Sequence, residues 1–347
     1  MFSAVAVAFS SLVLAVIMVV GVAGNLVIVW IVKSSSRLKA KSHILIANLA
    51  VADTLQSCNI FFMLVTAING GHWMFGETIC QMTAFLTVEF VLASMLSITT
   101  ISINRYFKVM HEKKYDKIFT AKSVWIIIAF IWTLPLMYAV PPLMGWSSYA
   151  FDPGKCFCLF RFRTNSSYAF FLAGTMTTPA LVIMCYAYFR VFQAVKLHRN
   201  RVCSLQLHEE RHKLGADEYK ITSAVVVVVL SYIVCFVPAT AVNFIEIFNS
   251  DYEIPLCIDF SSFVLIFVSH ANNPLIYGFM SRQYRVSFQE LLQRGSQPKR
   301  TRKKKDKSGD QGDLQLQKHV PTLIAASQAL RKQNDNTVSC TKKCSTS

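Results

Sequence analysis

Seven long runs of apolar residues, separated by short polar segments, dominate this chain. A membrane helix needs about 20 mostly apolar residues, and every run is at least that long. The first charge in the chain is Lys33, so the first run is unbroken. The runs predict helices over about 4–32, 43–68, 78–105, 122–145, 166–195, 218–248 and 255–278. In hydrocarbon, backbone N–H and C=O groups must be satisfied within the segment, so such runs fold as helices. The expected fold is an all-α membrane protein, a seven-transmembrane helix bundle over 1–294. Only 16% of the 347 residues are charged, against about 25% in soluble domains. The first run lacks the basic start of a secretory signal peptide and is too long for one.

The net charge of +16 acquires meaning from where it sits. Lys33, Arg37, Lys39 and Lys41 lie between the first two runs, and Lys108, Lys113, Lys114, Lys117 and Lys122 follow the third. The loops on the other side carry Lys155, Arg161 and Arg163. Basic loops stay in the cytosol, so the expected protein is multi-pass in the plasma membrane with its amino terminus outside. The basic charge then marks the inner face and implies no nucleic-acid partner. The sequon Asn165-Ser166-Ser167 falls in an outer loop, where Asn165 is a glycosylation candidate. Residues 281–293 alternate apolar and basic positions at helical spacing, which predicts an amphipathic helix on the inner leaflet. Residues 295–347, with the run Lys299–Lys305, read as a disordered basic cytoplasmic tail. That run is attracted to anionic lipid.

Enzyme signatures are missing. The 10 cysteines form no paired CxxC pattern, and the chain has no Gly-rich phosphate loop, HExxH or GxSxG. A transporter is the other membrane class to weigh, but no inverted internal repeat is visible.

Polar groups at bilayer depth carry the information. A lone Asp at a helix centre costs about 2.5–3.5 kcal/mol on insertion, so Asp53 is expected to face the bundle interior. Asn25, Asn48, Ser94, His270, Asn272 and Asn273 also lie within spans. They serve either as hydrogen-bonding glue between helices or, around Asp53, as a cation site or switch. Pro179, Pro238 and Pro274 each break a span's backbone hydrogen bonding.

In order along the chain stand Gly24-Asn25, Leu49-Ala50-Val51-Ala52-Asp53, Trp73-Met74-Phe75-Gly76 and Cys80. Asn104-Arg105-Tyr106, Trp132, Cys235-Phe236-Val237-Pro238 and Asn273-Pro274-Leu275-Ile276-Tyr277 follow, with Tyr284 beyond them. Their order and their placement on successive spans resemble the rhodopsin-like G-protein-coupled receptors over residues 4–294. The loop Gly145–Cys158 resembles that of opsins, and Asn104-Arg105-Tyr106 with Ile276-Tyr277-Gly278 resembles melatonin receptors.

The resemblance implies roles for particular residues. Cys80 is expected to pair with Cys158 rather than Cys156. Arg105, flanked by Asn104 and Tyr106, is the expected hinge of G-protein coupling, paired at rest with Glu218. Phe236, Pro238, Asn273, Pro274 and Tyr277 would complete that switch, with Tyr186 or Tyr188 contributed by the fifth span. Asp53, Ser94 and Asn273 match a sodium pocket, with Ser269 and His270 beside them. Thr87, Val91, Thr175, Phe236, Thr240, Asn243, Phe263 and Phe267 are the ligand-pocket candidates. Their apolar character points to a small neutral or weakly polar ligand. The acidic outer rim of Glu246, Asp251, Glu253 and Asp259 keeps a basic peptide as the alternative. Phe267 stands where opsins carry the retinal lysine, and the seventh span has no lysine, so no retinal cofactor is expected. Thr87 stands where amine receptors carry an aspartate. The implied partners are an extracellular ligand, the lipid bilayer, heterotrimeric G proteins and arrestin-type proteins. The last would meet a tail phosphorylated at sites such as Ser339, Thr341 and Ser345.

Overall fold

The computed structural model describes residues 4–35, 38, 40–161, 166–205, 209–249 and 252–296, without the side chains at 195–222, 292 and 294–296. Seven helices in it are long and apolar enough to cross a membrane. Helix α1 spans Ala4–Ser34, α2 Lys41–Ile68 and α3 Gly76–Met110. A short α4, Glu112–Ile118, leads to α5, Ala121–Ala139. The fifth span is composite: α6 (Ser166–Leu172), a π turn (Ala173–Thr177) and α7 (Thr178–Leu205). Helices α8 (Glu209–Phe248) and α9 (Leu256–Met280) complete the bundle. Helix α10, Arg282–Ser296, follows. Several helices outrun their apolar stretches. Past the hydrocarbon, polar residues face water at no cost, so composition alone does not mark a helix end there.

Thr120 caps α5, its hydroxyl accepting a hydrogen bond from the Ser123 backbone N–H at 3.1 Å. At the far end of α5, Pro141 and Pro142 open a 3₁₀ turn that closes on Gly145 at φ 96°. That left-handed backbone favours glycine. Besides the three prolines already named, Pro135 lies inside α5. The π turn ends immediately before Thr178-Pro179. Proline brings no N–H to the helical ladder, and single π turns absorb such a break.

Polar residues face inward and large apolar ones outward. Asp53, Gln56 and Ser94 are wholly buried, whereas Phe279, Val234 and Phe192 are exposed. This inverts a soluble protein and suits a solvent of lipid tails. Helix α1 packs on α2 and α9, α3 on α2, α5 and α7, and α8 on α9. Polar glue joins them. Asn48 donates to Ser97 Oγ and accepts from Trp132 Nε1, each at 2.9 Å, linking α2, α3 and α5. Asn25 donates to the His270 carbonyl at 3.2 Å, and Asn272 to Ser231 Oγ at 3.3 Å. A Cβ on Gly21 would run into the Ser57 hydroxyl, so α1 and α2 need glycine to approach this closely.

The strands β1 (Tyr149–Asp152) and β2 (Phe157–Phe160) pair antiparallel, Tyr149 opposite Phe160, between the fourth and fifth spans. At the opposite end, Tyr284 of α10 is buried against Tyr277, with ring centroids 5.6 Å apart, and lies 3.1 Å from His43 Nδ1. The Ser35 and Ser287 hydroxyls meet at 3.1 Å and hold α10 against the end of α1.

Candidate functional site

A cavity of about 180 Å³ opens beneath the hairpin, between α3, α8, α9 and the fifth span. Six of the eight ligand-pocket candidates line it: Thr87, Val91, Phe236, Thr240, Asn243 and Phe263. Leu159 and Phe160 of β2 also line it, and were not legible as pocket residues without the hairpin's fold. Thr175 does not line it. The π turn rotates it to the exposed face, where it accepts from the Tyr138 hydroxyl at 3.1 Å, and Thr177 lines the cavity instead. Phe267 does not line it either. It is fully buried in a separate apolar cluster against Phe157 and Phe263, with centroids 6.0 and 5.3 Å away. Thr87 receives a hydrogen bond from Asn59 at 2.8 Å. Asn243 Oδ1 is buried in the wall and has no hydrogen-bond partner among the described residues.

Below the cavity lies the carboxylate of Asp53. Ser94 donates to its Oδ1 at 2.7 Å, His270 Nδ1 lies 2.8 Å from the same oxygen, and Asn273 donates to Oδ2 at 2.6 Å. Helices α2, α3 and α9 therefore meet on one acid. Both oxygens are engaged by protein groups. The other ring nitrogen of His270 has no partner among the described residues. Ser269, grouped with this pocket from the sequence, instead donates to the Ile266 carbonyl of its own helix at 2.7 Å. Phe236 connects the two layers: it stacks on Tyr232 at 4.0 Å and its ring centroid lies 6.5 Å from that of His270.

At the far end of α3, Arg105 is buried. Asn104 donates to the Tyr115 hydroxyl at 3.3 Å, and so ties α3 to α4 rather than to Arg105. The Tyr106 hydroxyl lies 3.4 Å from His111 Nε2. Of the two fifth-span tyrosines, Tyr188 is buried and faces Ser102 and Arg105, whereas Tyr186 is exposed beneath the Arg190 guanidinium. Tyr277 is buried on the same inner face. Pro238 and Pro274 lie inside α8 and α9. The Glu218 side chain, Asn165 and residues 297–347 lie outside the described residues.

Cys80 and Cys158 form a disulfide that ties α3 to β2, while Cys156 is free and buried. Next to Cys156, Lys155 meets Asp152, Glu246 and Asp259, a cluster that sequence reading missed. Its signal was present as unlike charges on loops and span ends of one face, but nothing in the sequence paired them.

The family model for the 7 transmembrane receptor (rhodopsin family) matches residues 24–277. The chain belongs to the rhodopsin family of seven-transmembrane receptors. It is a multi-pass G-protein-coupled receptor rather than an enzyme, and heterotrimeric G proteins are its signalling partners. It is 26% identical to the melatonin receptor type 1A of Mus musculus over 277 residues, 79% of this chain and 77% of that one. It is 25% identical to the somatostatin receptor type 1 of Rattus norvegicus over 289 residues, 81% and 71% of the two chains. Squid rhodopsin shares the fold with a TM-score of 0.73 at 19% identity, over 82% of this receptor and 85% of that chain.

Proposed function

We propose that this receptor binds a small, neutral, largely apolar ligand bearing one hydrogen-bond donor, in the cavity beneath the hairpin. The observation that carries this is Asn243 Oδ1, an unused acceptor in an otherwise apolar wall. A buried acceptor left unmet costs about 1–3 kcal/mol, which a donor on the ligand would recover. Drug-sized ligands occupy about 300–1,000 Å³, so a cavity of about 180 Å³ suits a smaller molecule. The acidic rim gives less support to a basic peptide than its composition suggests. Glu246 and Asp259 are already engaged by Lys155, which leaves Glu253 as the exposed acid of that rim among the described residues.

Binding reaches the G protein through the core. A ligand that presses on Phe236 bears on His270 and through it on Asp53, where three helices meet. Pro238, two residues along from Phe236, gives α8 a point at which to pivot. At the inner end, Arg105 with Asn104, Tyr106 and Glu218 forms the switch that the G protein engages, and Tyr188 and Tyr277 stabilise its open form. The hairpin end is extracellular and α10 lies on the inner leaflet of the plasma membrane. Arrestin-type proteins meet the phosphorylated tail. Because His270 already answers Asp53, sodium acts weakly at this site.

The test is a screen of small neutral molecules against the full-length receptor in cells, read with a panel of G-protein activation assays. An active compound should lose at least about tenfold in potency on Asn243→Leu, one hydrogen bond's worth. Activation by basic peptides with Asn243→Leu inert would overturn the proposal.

A further inference from the structure

Lys155 sits at the tip of the β1–β2 hairpin with only 2% of its side chain exposed. Its Nζ lies 3.2 Å from Asp152 Oδ2 within the hairpin, 3.0 Å from Glu246 Oε1 on α8 and 2.9 Å from Asp259 Oδ1 on α9. The turn is shaped to deliver it there. Asp152 Oδ1 accepts the backbone N–H of Gly154 at 2.9 Å and of Lys155 at 3.3 Å. Cys156 adopts a left-handed φ of 50°. A Cβ on Gly154 would collide with the Asp259 carboxylate, so only glycine lets the turn come this close.

The hairpin it anchors covers the cavity, with Leu159 and Phe160 in its wall. The disulfide fixes β2 to α3. One anchor leaves a strand pair free to swing; a second, on the other side of the cavity, does not. Lys155 supplies that second anchor, to α8 and α9. Burial pushes its ammonium pKa down, but Asp152, Glu246 and Asp259 outweigh this and hold it above the usual lysine value, so it stays charged. Without it, three carboxylates whose ligand atoms lie within 4.8 Å of one another would face each other.

We infer that Lys155 is the keystone of an ionic latch that holds the hairpin closed over the cavity and ties it to the outer limbs of α8 and α9. Opening the latch uncovers the cavity and frees the outer limb of α8. The inference rests on the proposed ligand site only in taking the cavity as the ligand's place. Its test is independent of any ligand.

Cys156 is the built-in reporter. It is fully buried beside the latch, and burial together with the Asp152 and Asp259 carboxylates pushes its thiol up to about 11. Full-length receptor in lipid nanodiscs would be pulsed with a hydrophilic maleimide. Occupancy of Cys156 would be read by peptide mass spectrometry, with exposed Cys257 as the internal reference. Lys155→Ala should raise the Cys156 rate at least about tenfold relative to Cys257, local opening having become easier. Millimolar calcium should slow labelling again in Lys155→Ala, by taking the ammonium's place among the carboxylates. It should not do so in Lys155→Ala with Glu246→Gln, and Lys155→Arg should label like the parent. If Lys155→Ala does not fold, Glu246→Gln with Asp259→Asn removes the same two anchors and should also speed labelling. Unchanged Cys156 labelling in Lys155→Ala or, where that does not fold, in Glu246→Gln with Asp259→Asn would overturn the latch while leaving the ligand proposal standing.

Discussion

Asp53, midway along α2, and Asp259, in the first turn of α9, are both buried carboxylates, yet different chemistry satisfies each. Asp53 is answered by a hydroxyl, an amide and an imidazole: Ser94, Asn273 and His270. Asp259 shares a full ammonium, that of Lys155, with two other carboxylates. Position in the bilayer accounts for the difference. At mid-membrane a second fixed charge would carry its own desolvation cost of several kcal/mol. Hydrogen-bond donors avoid that cost. At the hairpin end water lies close, and a lysine on a short loop can stay ionised. The mid-membrane cluster thus joins three helices without a second fixed charge, and the outer cluster holds parts together with one.

Substitutions can break this comparison. The largest effect is expected at Asp53. Asp53→Ala strands three donors in the dry core and should cost about 3–5 kcal/mol, the range for removing one partner of a buried ionic contact. Thermal unfolding of the purified receptor in detergent measures it. Lys155→Met should cost less, about 1–3 kcal/mol, because the carboxylates it leaves can hydrate by local opening. Raised salt should narrow that deficit by screening their repulsion, and salt should leave the Asp53→Ala deficit unchanged. Equal salt responses would erase the distinction between the two sites. The smallest effect is expected at Trp132→Phe, which removes the neutral bond to Asn48 Oδ1. It should cost about 1 kcal/mol in the same melt and leave the salt response as it is.

Much of this was legible in the chain. The seven spans follow from apolar run length, since lipid leaves the backbone no alternative to helix. Asp53, Ser94 and Asn273 stood out because polar groups at that depth are costly, and the structure brings all three together. His270 was harder: alone it reads as glue, and only its 2.8 Å approach to Asp53 gives it a larger part. Thr175 and Phe267 lie outside the cavity wall for local reasons. Thr175 sits within the π turn on an exposed face, while Thr177 at the end of that turn lines the wall. Phe157, carried by the hairpin, packs on Phe267 away from the cavity. Lys155 stayed hidden because its partners come from a loop and two distant helices, a juxtaposition that no local pattern encodes.

The central claim is that His270, rather than a bound ion, answers the carboxylate through which the cavity speaks to the G protein. The most direct test is a sodium titration of G-protein nucleotide exchange, with purified full-length receptor in nanodiscs. It should be run with His270→Ala in parallel. The account expects a weak sodium effect in the unaltered receptor and a clearly stronger one in His270→Ala. Strong sodium sensitivity in the unaltered receptor, unchanged in His270→Ala, would contradict it.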